Sequence, residues 1–268
     1  MTKHVAFGVA ALAMLLLPAA RAEPARLDPA RLEPDAAIAA SQRAIGNTVG
    51  DYVLTDSTGR PLTLTSFRGR PLLISLVYTA CSSICPPTTQ HLMTAVSQAR
   101  RALGTGRFAV LTVGFDARRD TPGRMADFAA AQGAAGADWY FASGDPDTLA
   151  GLLRDVGFSY AAVAGGFDHV AQTTIVGTDG KVYRQVYGDD FPVRMLVEPL
   201  KAAVLGTASP LTVSGIVDRV RFICTTYDPG TGRYRIDYGL VFGSVIAALS
   251  LFAFGGFLIR EWRRAGRA

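Results

Sequence analysis

Two cysteines separated by three residues, Cys81 and Cys85, stand at the end of the apolar run 71–78 and directly before Pro86 and Pro87. Two thiolates about 2.3 Å from a shared soft metal ion sit up to about 4.6 Å apart, whereas a disulfide needs sulfurs about 2.05 Å apart. A three-residue loop reaches both geometries, so the pair suits metal capture and dithiol–disulfide cycling alike. Soft thiolates select Cu(I), zinc or iron–sulfur clusters, and three cysteines in 268 residues are too few for a four-cysteine zinc or cluster site. Copper is the leading metal. A structural disulfide is the alternative in an oxidising compartment, but the junction of a strand with a helix is where cysteines do chemistry.

The other candidates are few. His4 lies in the leader, and His91, on the helix after Cys85, falls off the apolar stripe and reads as solvated. His169, taken alone, reads as a packing or surface histidine. Cys224, the odd cysteine, suits inert burial, a redox or copper role, or pairing between chains.

Several elements must position the pair. Residues 71–78 are continuously apolar and too short for a helix, which predicts a buried central strand. Pro86 and Pro87 are tolerated in a first helical turn, and Leu92, Val96, Ala99 and Leu103 follow at helical spacing. Cys85 is thus expected to cap that helix, where the positive end of the macrodipole would bring its pKa below the free value of roughly 8.5. Residues 52–56 and 61–64 read as a hairpin around a glycine-containing turn. A buried strand at 107–115, a helix near 123–131, a strand at 139–142 and a helix opened by Asp145-Pro146 predict parallel pairing. Asp116, Asp120 and Thr121 are expected to cap the helix after them, and Trp139 reads as core. Residues 167–176 and 181–187 flank a turn ending in Asp179-Gly180, which predicts one hairpin, and a last helix is expected over 192–204. The sum is an α/β, thioredoxin-like mixed sheet with helices on both faces.

The flanks predict a location. Residues 1–22 carry Lys3, an apolar core and a small-x-small end at Ala20-Arg21-Ala22, and read as a cleaved signal peptide. Residues 23–44 read as a flexible tether, 45–205 as the folded domain and 206–238 as a juxtamembrane segment. Residues 239–259 hold no charge, and 21 residues at 1.5 Å each span about 31 Å, enough for a transmembrane helix. Arg260, Arg263, Arg264 and Arg267 make 260–268 a basic cytoplasmic tail, with the domain on the periplasmic side of the cytoplasmic membrane. The formal net charge of +5 less +2 from 1–22 and +3 from 239–268 leaves zero for 23–238. Nucleic-acid binding therefore has no support.

Cys81-x3-Cys85-Pro86 after a buried strand, Val113-Gly114-Phe115-Asp116-x3-Asp120-Thr121-Pro122, and Phe167-Asp168-His169 before a turn with Asp179-Gly180 together resemble the Sco/SenC family. These are copper chaperones of cytochrome c oxidase assembly, and the resemblance covers roughly residues 46–205. It implies copper, Cu(I) or Cu(II), as the ion bound, and Cys81, Cys85 and His169 as the ligands. It also implies an oxidase subunit II, or a similar copper acceptor with a dicopper centre, as partner. The family often has proline and then aspartate or asparagine after its first cysteine, where this chain has Ser82 and Ser83.

Two functions follow from these residues. The first is a membrane-anchored copper chaperone that passes its ion on by thiolate exchange from an exposed, mobile cysteine loop, Asp168 being a candidate to orient His169. The second is a thiol–disulfide oxidoreductase that reduces an acceptor's cysteines, itself served by a thioredoxin-like reductant. It needs Cys81 and Cys85 as a redox pair but not His169. Peroxidase chemistry ranks behind both, because no arginine adjoins the cysteines.

Overall fold

The computed structural model describes residues 32–134, 136–205, 225–228, 233–236 and 238–265. Strand β1 (Val53–Asp56) and β2 (Pro61–Thr63) form the expected hairpin, and a short 3-10 turn follows at Leu64–Phe67. β3 (Leu72–Val77) is buried at every residue and leads to helix α2 (Cys85–Leu103). Then come β4 (Ala109–Gly114), α3 (Pro122–Gln132), β5 (Trp139–Ser143) and α4 (Pro146–Asp155). β3, β4 and β5 pair in parallel, as the alternation of strand and helix predicts. With β8 (Gln172–Val176) and β9 (Val182–Tyr187) they complete a seven-stranded mixed sheet in the order β2-β1-β5-β4-β3-β8-β9.

Side chains of one strand alternate between faces, and the core divides accordingly. Leu73, Val110 and Ile175 pack with Leu92 and Val96 of α2 and with Leu196 and Leu200 of α5 (Arg194–Leu205). Ile74, Leu76 and Leu111 pack on the other face with Met125 of α3 and Leu152 of α4. Helices thus cover both faces.

Two expectations change. The tether at 23–44 ends in a helix, α1 (Pro34–Arg43), whose Ala37 and Ser41 are buried. No sustained apolar period announces it, because it docks by close approach and polar contacts. The Ser41 hydroxyl and Gln42 amide both meet the Tyr187 hydroxyl at 2.7 Å. Gly157, at φ +67°, leaves no room for a Cβ, which would stand 2.6 Å from Ala44 and 2.9 Å from the Ala40 carbonyl.

The hairpin expected over 167–187 is also divided. β7 (Gly166–His169) turns back on β6 (Tyr160–Val163), with Tyr160 opposite His169, to make a separate two-stranded ribbon. Only β8 and β9 form the hairpin within the main sheet. Gly165, at φ +89°, supplies the ribbon's turn.

Toward the C-terminus, β10 (Thr225–Asp228) pairs with β11 (Arg233–Ile236), and α6 runs over Tyr238–Ala265. Among the described residues no helix is recognised as long and apolar enough to cross a membrane. The transmembrane helix expected at 239–259 is therefore not established by the structure. The signal peptide at 1–22 and Cys224 lie outside the described residues.

Candidate metal and redox site

β3 delivers the chain to the C-terminal edge of the sheet, where Tyr78 stays buried and its carbonyl accepts the N–H of Cys81 at 3.0 Å. Both cysteines are free thiols and both are buried, Cys81 at 6% exposure and Cys85 at 2%. The cysteine loop is expected to be exposed; Ser82 and Ser83 do face solvent, but the thiols turn into the core beside the aromatic cluster.

α2 begins at Cys85, and its N-cap residue, Ile84, offers no side-chain acceptor. The Cys81 sulfur takes that place. It accepts the Cys85 N–H at 3.3 Å and lies 3.8 Å from the Ser83 hydroxyl. Burial opposes charge on Cys81, yet the N–H of Cys85, the Cys85 thiol and the N–H groups of Ser83 and Ile84 together bring its pKa down to about 6. Cys85 moves the other way, pushed up to about 12 by burial and then by the neighbouring Cys81 sulfur and the Asp120 carboxyl. The thiolate is therefore Cys81 and not, as expected, Cys85. The unpaired N–H groups of a first helical turn converge on the residue ahead of the helix, and the Cys85 side chain is packed in the core behind them.

Asp120 holds this loop. Its buried carboxylate accepts the Thr79 N–H at 2.8 Å, the Thr79 hydroxyl at 2.7 Å and the Asp116 N–H at 2.9 Å, tying the loop after β3 to the loop after β4. Burial nevertheless raises its pKa above the usual carboxylate range. Of the three residues expected to cap α3, only Thr121 does so, accepting the Arg124 N–H at 3.3 Å. Gly114 permits the brace: a Cβ there would stand 2.5 Å from the Asp120 Cβ.

His169 ends the ribbon strand β7, its ring among Phe115, Phe158 and Tyr78 at centroid distances of 5.5, 5.5 and 6.1 Å. Its Nδ1 lies 3.2 Å from the Val170 carbonyl, which only accepts, so Nδ1 carries the proton and Nε2 a lone pair. That Nε2 is buried with no hydrogen-bond partner. Burial lowers the pKa of the ring, keeping it neutral. Asp168 does not orient it; its carboxylate accepts the Leu32 N–H at 3.3 Å, as alternation along a strand requires.

The two sulfurs are brought together, but the imidazole is not gathered with them. Among the described residues no three His, Cys, Asp or Glu side chains form a group able to hold a metal. The donor types suit copper: a thiolate, a second thiol and a neutral nitrogen lone pair with nothing to bind. Tyr78 adjoins both sulfur loop and imidazole, its carbonyl on the Cys81 N–H and its ring 6.1 Å from that of His169, a part the sequence did not announce. His91 is also reassigned, being half-buried against Phe191, with its Nε2 2.7 Å from the Phe191 carbonyl and its Nδ1 3.4 Å from Asp190.

Comparison with known proteins agrees with the motif reading. The SCO1/SenC family model matches residues 40–204, more than half of the chain. A SCO1 protein homolog of Bacillus subtilis (strain 168) is 25% identical over 163 residues, spanning 58% of this chain and 82% of the relative. Among solved structures, BsSco, described as a member of the Sco family of cytochrome c oxidase assembly proteins, aligns with a TM-score of 0.53 at 23% identity. It covers 59% of this chain and 94% of that one. Arabidopsis thaliana ScoI, solved with copper bound, aligns with a TM-score of 0.51 at 18% identity over 60% and 98% of the two chains. At these identities the two structures speak for the fold.

Proposed function

We propose, from the premise that this chain belongs to the SCO1/SenC family, that it is a membrane-anchored chaperone passing copper to the dicopper centre of a terminal oxidase. Copper-bound structures and a role in cytochrome c oxidase assembly are features of Sco proteins; the ligands, the route of transfer and the anchor are our reading for this chain. Copper is here the cargo. Cys81 and Cys85 would hold Cu(I), and Cu(II) would add His169, because imidazole suits the harder ion. Acceptor cysteines would then displace the two sulfurs one at a time.

One observation carries this reading: a buried, neutral imidazole with an unpartnered Nε2 packs against Tyr78, the residue whose carbonyl holds the N–H of the thiolate Cys81. Burying a nitrogen without a partner costs about 1–3 kcal/mol. A dithiol enzyme gains nothing from that cost, whereas a metal site recovers it on loading.

The anchor is supported by the sequence of α6, in which residues 239–259 carry no charge and Arg260, Arg263, Arg264 and Arg267 follow. Among the described residues of this helix, Phe242, Ile246, Leu249, Phe252 and Phe257 are exposed. On our reading lipid, rather than water, meets these side chains. The tail would lie in the cytoplasm and the domain outside it.

A second reading, thiol–disulfide oxidoreductase, is favoured by the inequality of the two thiols, a thiolate at Cys81 beside a protonated Cys85. Copper loading and thiol exchange measured side by side in His169→Ala separate the two. A weakened and shifted Cu(II)–sulfur absorption band with thiol exchange intact supports the chaperone, and unchanged Cu(II) binding refutes the ligand set.

A further inference from the structure

We propose that Tyr78 is a positioning residue that keeps the His169 imidazole off the two sulfurs until copper is captured, and that its displacement admits the third ligand. The proposal rests on the ligand set above. Tyr78 is the first residue beyond β3 and is only 8% exposed. Its ring packs edge-on against His169 at 6.1 Å, Phe167 at 5.2 Å and Phe115 at 5.5 Å. Its hydroxyl is as closely engaged. A Cβ at Gly166 would stand 2.7 Å from that oxygen, so the ribbon backbone passes against it at a residue without a side chain. Burial first, and then the neighbouring Cys81 thiol, raises the pKa of this hydroxyl, which thus faces the sulfur loop as well as the ribbon.

One side chain thus touches both bodies that carry the ligands, the sulfur loop and the β6–β7 ribbon. The ring is a spacer and the hydroxyl a latch. With the spacer in place, the sulfurs are free to take an ion as a pair, a geometry that satisfies Cu(I). The imidazole, its Nε2 without a partner, waits behind the ring. An ion that demands a nitrogen ligand, Cu(II), must break the latch and move the ring. Tyr78 therefore separates the two oxidation states by rate, without being a ligand to either.

The test uses the full chain in detergent, reduced and oxygen-free, mixed rapidly with Cu(II) while the sulfur-to-Cu(II) absorption band is followed. Tyr78→Phe keeps the ring and removes the latch. It is expected to reach the wild-type final spectrum about tenfold faster, the effect of one hydrogen bond on a barrier. In the His169→Ala background the same substitution is expected to leave the rate unchanged, because no imidazole has to enter. A purely structural tyrosine would not show that dependence on residue 169. A Tyr78→Phe rate equal to wild type overturns the proposal, as does acceleration that persists without the imidazole or an altered final spectrum. A His169→Ala spectrum identical to wild type removes the ligand set and the spacer role with it. A changed His169→Ala spectrum combined with an unaffected Tyr78→Phe rate removes only the spacer role.

Discussion

The inequality of the two thiols makes a quantitative prediction about their reactivity. With a pKa of about 6, Cys81 is half thiolate at pH 6, where a free cysteine at about 8.5 is on the order of 0.3% thiolate. That is an advantage of about 160-fold in concentration of the reactive form. Nucleophilicity falls with basicity, with a Brønsted slope of about 0.4–0.5, so a drop of about 2.5 pH units costs about tenfold. The net expectation is that Cys81 outpaces a short cysteine peptide by about tenfold at pH 6 and lags it by about tenfold at pH 9. Cys85, pushed up to about 12, has on the order of 0.001% thiolate at pH 7 and reacts about a hundredfold more slowly than Cys81 even after its greater basicity is counted. Both sulfurs are buried, which slows each of them, so the ratios and the pH of the inflection are the informative quantities. The assay is brief carbamidomethylation of the reduced chain between pH 5 and 9, with peptide mapping of the two sites. An inflection above pH 8 at Cys81, or modification of Cys85 first, refutes the account of the helix N–H groups converging on the Cys81 sulfur.

Two further predictions concern what holds the site. Asp120→Ala strands the Thr79 N–H and hydroxyl and the Asp116 N–H, and is expected to cost about 2–4 kcal/mol in urea unfolding with an unchanged m-value; a loss below about 1 kcal/mol contradicts the brace. Burial raises the folded pKa of Asp120, so its contribution to stability is greatest below the unfolded value and is lost as pH rises through the folded one. Asp120→Asn is accordingly expected to flatten that part of the stability profile. Gly157→Ala places a Cβ 2.6 Å from that of Ala44 in a left-handed conformation, and is expected to lower stability by about 1–3 kcal/mol and to expose the α1 amides to hydrogen exchange. Wild-type exchange in that variant would mean that α1 is not seated through Gly157.

What the sequence disclosed and what it withheld divide along a physical line. The central strand, the helix after Cys85 and the parallel units were legible because each depends on local periodicity and turn chemistry, and so was the hairpin of β1 and β2. The cysteine pair entered the candidate site on its spacing, and His169 only through the resemblance, since nothing local to Phe167-Asp168-His169 marks it out. The docking of α1 and the role of Asp120 were missed because both concern approach between distant segments. α1 lacks an apolar stripe and is held by Tyr187 and Gly157, more than a hundred residues away. The strand β7 read as part of the main hairpin and its partner β6 was not anticipated, because residues 160–163 are mostly exposed and give little strand signal. Asp120 looked like a cap because aspartate before a proline-led helix usually is one, yet its carboxylate was already engaged by Thr79, 41 residues earlier. The cysteine assignment failed for a related reason. A helix start was correctly placed at Cys85, but its dipole acts where the N–H groups point, and the three-residue loop returns the Cys81 sulfur to that spot.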